Sequence, residues 1–207
     1  AGYPDDALAV WQKTSGTGYH HKAEVLSMIA ISQARNGIDP RQAVASAVDL
    51  AEALKSDDRY HPSWKQAEIY ANLSRAYAPY GLDVKPLIDR AVEKAQTEPT
   101  NLRADAYTAI AKAQVSFGAD ARPMIALAQE SADDIVKPGE EADSGYGGPI
   151  QILNWEEIFH TQLDGKYYDD ARDTLARMDR YSDQDILGEK AELLAHLARE
   201  QSLQAAK

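Results

Sequence analysis

The chain has 207 residues, with 33 Asp and Glu against 22 Lys and Arg, giving a formal charge of −11. So acidic a surface repels nucleic-acid phosphates and anionic lipid headgroups, so neither is expected as the main partner; a protein or peptide, with a basic patch as the natural electrostatic complement, is. There is no cysteine, which excludes a disulfide framework, a thiolate metal site and a cysteine nucleophile, and no apolar run approaches the roughly 20 residues that span a bilayer, so membrane insertion is not expected.

The chain starts at Ala1 without a methionine, and AGYPDD fits either what removal of a leader peptide leaves or simply the boundary of the sequence; of the two we expect the former, an exported bacterial chain, periplasmic or secreted rather than cytoplasmic. Residues 6–13 form a short amphipathic piece with Leu8, Val10 and Trp11, expected to cap the unit that follows. His20 and His21 lie at helical distance from Glu24. A metal site needs three or four converging ligands, so they are read as a surface pair near a helix start.

The next three stretches repeat. Anchored on Gly37, Gly81 and Gly118, the chain carries Ala23, Ala67 and Ala104 fourteen residues earlier, Leu26, Tyr70 and Tyr107 eleven earlier, and Ile29, Leu73 and Ile110 eight earlier. Two residues after each glycine stands Asp39, Asp83 or Asp120, and ten after it Ala47, Ala91 or Ala128. The apolar spacing on each side is that of one helix face. Glycine suits the left-handed position that ends a helix, and the aspartate suits the N-cap of the next, with Gln42 completing a capping box after Asp39. Pro86 and Pro123 fall in the first turn of the second helix, where a missing N–H costs little. Each unit is thus predicted to be a helical hairpin, spanning about residues 22–54, 65–95 and 102–135. Its alanine-rich face is too thin to be buried alone, so neighbouring hairpins must stack.

An acid recurs thirteen before each glycine, as Glu24, Glu68 and Asp105. An acidic ladder for a basic ligand is one reading; the helix macrodipole, which favours acids in the first turn, accounts for it without a ligand. Residues 137–149, KPGEEADSGYGGP, break the pattern and read as an exposed loop, with Tyr146 a candidate contact. A fourth hairpin, about 150–180, turns at Gly165, and a closing helix is expected over about 185–201.

In that fourth hairpin Gly165, Tyr167 or Tyr168, and Ala171 resemble the glycine, aromatic and alanine across the turn of a tetratricopeptide repeat, and the IAKAQ stretch before Gly118 is similar to the same class. The resemblance implies an all-α, right-handed solenoid of stacked antiparallel hairpins, about four plus terminal capping helices, forming a single domain over residues 1–207. It also implies a groove, lined by the first helix of each hairpin, for a protein or peptide. The candidate partner-binding residues on or beside it are Gln33, Tyr70, Arg75, Tyr77, Lys112 and Gln114. Tyr70 has a structural reading as well, as a tyrosine packed between layers.

No catalytic motif emerges: phosphate-binding loops, G-x-S-x-G elbows and H-E-x-x-H are absent. Glu157 and His160 form one E-x-x-H, whereas a di-iron site needs two and further carboxylates, so no metal and no cofactor is expected. The expectation is a non-enzymatic binding module. The alternatives are an acidic inhibitor or immunity-type protein that neutralises a basic partner, and an α/α enzyme with its site built from Tyr, His and acids.

Overall fold

The computed structural model describes residues 19–54, 62–135, 147–178 and 184–205. The protein is all-helical: among the described residues there are nine α-helices and no strand. We number them α1 (Tyr19–Arg35), α2 (Arg41–Glu52), α3 (Pro62–Tyr77), α4 (Lys85–Gln96), α5 (Thr100–Ser116), α6 (Arg122–Asp133), α7 (Gly147–Asp164), α8 (Tyr168–Met178) and α9 (Gln184–Ala205). The expected cap around Trp11 and the part of the expected loop around Tyr146 lie outside the described residues.

Four turns share one backbone device. The N–H groups of Ile38, Leu82, Ala119 and Tyr167 donate to the carbonyls of Gln33, Tyr77, Gln114 and Gln162, five residues back, at 2.9, 3.4, 2.9 and 2.8 Å. In each, the residue just before the donor bonds three residues back, which completes a Schellman turn. That intermediate residue must be left-handed, and Gly37, Gly81 and Gly118 have φ of 74°, 64° and 76°. In the fourth turn the left-handed residue is Lys166, with φ 62°, not the predicted Gly165. Gly165 is needed for a different reason: a Cβ there would lie 2.5 Å from the Tyr167 ring. That ring is held in place by Arg122, 4.5 Å from its centroid, while its hydroxyl accepts the Ala121 N–H at 3.2 Å.

Counting from Lys166 brings the first helix of the fourth pair into register. Trp155 falls eleven before it and Ile158 eight before it, both inside the core with Leu26, Tyr70, Leu73 and Ile110. The second helix then starts two residues sooner than its counterparts, at Tyr168, and has no aspartate at the capping position. In the other three turns the carboxylates of Asp39, Asp83 and Asp120 accept the N–H two residues on, from Arg41, Lys85 and Arg122, at 3.0, 2.9 and 3.1 Å. Gln42 is exposed, and Arg41 instead grips Asp39 with its guanidinium, in place of the expected capping box.

Each second helix packs on its own first helix, and the first helices α1, α3, α5 and α7 pack in a row, each on the next. The second helices rest mainly on first helices rather than on one another. Alanine makes this closeness possible: Ala23, Ala67 and Ala104 in the first helices and Ala47, Ala91 and Ala128 in the second are fully buried. Polar ties cross the layers where tyrosine replaces leucine. The buried Tyr70 donates to Glu52 at 2.6 Å, and Arg90 binds the same carboxylate at 3.0 Å, joining α2, α3 and α4.

The turns carry a direct test. A methyl at position 118 meets nothing within 4 Å, so Gly118→Ala should cost only the left-handed strain, about 1–2 kcal/mol. Lys166→Gly should relieve the same strain and stabilise by about 0.5–1 kcal/mol. Denaturant midpoints at constant slope would show opposite shifts; equal signs would contradict the assignment of Lys166.

Candidate functional site

A stripe along α3 and α5, six, nine and thirteen residues before the left-handed residue of the turn, stays open, and on α7 the positions six and nine before it do. On α3, α5 and α7 these stripes line a groove of about 760 Å³. Its row nearest the turns is Arg75, Lys112 and His160; the next is Asn72, Ala109 and Glu157; the far row is Glu68 and Asp105, closed by Trp64 and Leu102. Trp64 is set by a long-range cap: its backbone N–H donates to Glu98 at 3.0 Å, while Arg103 donates to the Glu98 carbonyl at 2.8 Å. Asn154 and Glu156 of α7 complete the wall.

The charges are segregated by row, and most are internally matched. Lys112 binds Glu157 at 2.8 Å, and His160 lies 3.7 Å from Glu156. In the far row Lys65 reaches Glu24 on α1 at 2.8 Å and Glu68 on its own helix at 2.9 Å, with its ammonium 4.1 Å from the Trp64 ring centroid. Burial alone would raise the Glu24 carboxyl, but Lys65 and His21 outweigh it and bring it below its ordinary value. The same two carboxylates raise Lys65 against the opposing effect of burial.

Asp105 is the exception. It takes part in none of the ion pairs or hydrogen bonds among the described residues, and burial, then the charges of Glu157 and Glu68, push its carboxyl up from 3.8 to about 6. The first-turn dipole does not explain this row of acids. Helices α1, α3 and α5 begin earlier than the spacing suggested, so Glu24, Glu68 and Asp105 stand sixth, seventh and sixth in their helices, beyond the first turn where the dipole acts.

Of the residues singled out in the sequence, Arg75 and Lys112 lie in the groove. Gln33 and Tyr70 are buried, 3% and 0% exposed, and line no part of the groove. Tyr77 is half-buried against the core and Gln114 half-buried, both at the turn ends of their helices, where their carbonyls accept the Schellman bonds. Tyr146 lies outside the described residues. Trp64, Asn154 and His160 were not among the expected contacts. No repeat signal pointed to Asn154, whose counterparts on α3 and α5, Ile69 and Ala106, are fully buried.

Glu157 and His160 do not converge on a metal, the former being turned to Lys112. Among the described residues no group of three or more His, Asp or Glu side chains is placed to hold an ion, and no helix is long and apolar enough to cross a membrane. No family model matches the sequence, and neither a curated protein nor a solved structure matches it.

For Asp105 the sign follows from its raised carboxyl. The folded state holds the proton more tightly than the unfolded chain, so stability falls as pH rises from about 4 to about 6 and is constant above. Asp105→Asn should therefore stabilise the protein at pH 7 by about 1–2 kcal/mol, allowing for solvent screening, and by nothing at pH 3. Urea denaturation at the two pH values measures the difference; a variant less stable at pH 7 would show that the carboxylate is satisfied.

Proposed function

We propose that the four helix pairs form a right-handed solenoid of tetratricopeptide-like hairpins, and that the groove along its first helices binds a segment of another protein or peptide without chemical turnover. The observation that carries this is the groove itself. Three successive first helices share two offsets, six and nine before the turn, and α3 and α5 share a third, so neighbouring units build one continuous surface largely from equivalent positions. The contact pattern supports the sense of curvature: a row of first helices in mutual contact, with second helices spread outside it, bends so that the first helices line the concave side.

The volume falls in the range of small-ligand pockets, but those bury most of their ligand's surface. This groove is open and edged by charged rows, which suits an extended chain with alternating side chains better than a compact apolar ligand. Four carboxylates, Glu68, Asp105, Glu156 and Glu157, stand against the fixed cations Arg75 and Lys112, so the local balance shares the sign of the whole chain and favours a basic segment. A charge-neutralising inhibitor would use the whole acidic surface rather than these positions.

Ala109, at the centre of the groove floor, separates the readings. Peptides selected from a random display library against the protein should lose at least about tenfold in affinity for Ala109→Trp, which fills the groove, and be unaffected by Asp89→Trp on the exposed face of α4. Binding that ignores Ala109→Trp but collapses in 0.5 M salt would replace the groove with general charge attraction.

A further inference from the structure

The repeat shows within itself what its far row accepts. Each acid of that row on α1 and α3 has a base three residues earlier on the same helix: His21 lies 3.4 Å from Glu24 and Lys65 2.9 Å from Glu68. Lys65 also spans the interval between the two helices, reaching Glu24 at 2.8 Å. On α5 the equivalent of Lys65 is Leu102, and Asp105 makes no ion pair, Lys112 acting on it only from a distance while bonded to Glu157. The interval between Glu68 and Asp105 is thus the next step of the same ladder, with its acids present and its base missing.

A second observation points to a ligand at the same place. Asn154, on the α7 wall of the groove, is 3% exposed, and its Nδ2 has no hydrogen-bond partner among the described residues. A buried amide donor left without a partner loses the free energy of its hydration. A carbonyl delivered into the groove satisfies it.

We infer that the groove binds an extended, lysine-bearing segment of a partner protein, whose ammonium sits between Glu68 and Asp105 as Lys65 sits between Glu24 and Glu68, and one of whose main-chain carbonyls accepts from Asn154 Nδ2. This rests on the groove being the binding surface and adds the chemistry of its occupant. Ammonium is favoured over guanidinium because the chain's own ladder uses a lysine, a compact charge that bridges two carboxylates from one point. The apolar edge of Leu102 and the Trp64 ring flank the seat and suit the methylene stem of such a side chain.

The test uses an end-blocked octapeptide of alternating serine and lysine and its norleucine counterpart, titrated calorimetrically into the full chain. The lysine peptide should bind at least about tenfold more tightly than the norleucine peptide. Asp105→Asn should remove that advantage, and so should Leu102→Lys, which supplies the missing base from within. Asn154→Leu should weaken both peptides by about 3- to 10-fold without lowering the denaturation midpoint. Equal affinity for the two peptides, or lysine binding indifferent to both Asp105→Asn and Leu102→Lys, overturns the inference. If display-selected peptides still lose affinity on Ala109→Trp, the groove stands and only the lysine seat falls; if they do not, the groove reading falls as well. Circular dichroism of Leu102→Lys separates a blocked seat from a misfolded chain, and Asp105→Asn, nearly isosteric, gives the same readout independently.

Discussion

One backbone hydrogen bond, repeated four times, sets the geometry on which the rest depends. The N–H two residues beyond a helix end donates to a carbonyl five residues back, and that closure fixes where the chain points as it leaves. Three of the four turns then capture the next helix with an aspartate carboxylate. With the exit direction set, and in three turns the entry cap as well, each second helix returns to pack on its own first helix. Equivalent side chains therefore arrive at equivalent places, and only for this reason do residues on three separate helices line one groove.

How much of this could be read beforehand depended on whether a residue type advertises its backbone. Gly37, Gly81 and Gly118 did, since glycine alone is at ease in the left-handed region, and the hairpins followed from them. Lys166 did not, because nothing about a lysine announces a positive φ, while nearby Gly165 offered a false anchor that is there to admit the Tyr167 ring. A one-residue slip on a helix turns every side chain by about 100°, so counting from Gly165 moves Glu157 and His160 off the rows that they share with Asn72, Arg75 and Lys112. The helical period distinguished the faces of α3 and α5 but not which face met a neighbouring layer. Arg75 and Lys112 emerged in the groove, whereas Gln33 and Tyr70, read from the same pattern, packed inward.

The far row of acids illustrates a different limit. A ladder of Glu24, Glu68 and Asp105 was visible in the spacing, yet a dipole explanation absorbed it as long as the helix starts were placed too late. Helix starts are the least legible feature of a sequence, since they are set by caps and by the packing of the preceding linker. Once α1, α3 and α5 are seen to begin about one and a half turns before those acids, the ladder needs another cause. What remains is electrostatic: two of its members are neutralised internally, and the third, half-buried, is repelled by Glu157 and Glu68 more than Lys112 attracts it.

The lysine that joins α1 to α3 also shapes the surface as a whole. By occupying the first interval and lying across the Trp64 ring, it puts a stopper in the trough at its amino-terminal end. At the other end α9 packs against α7, its His196 ring 5.5 Å from that of His160. The trough is thus bounded on both flanks by the chain's own side chains, and its length is set at three first helices, α3, α5 and α7.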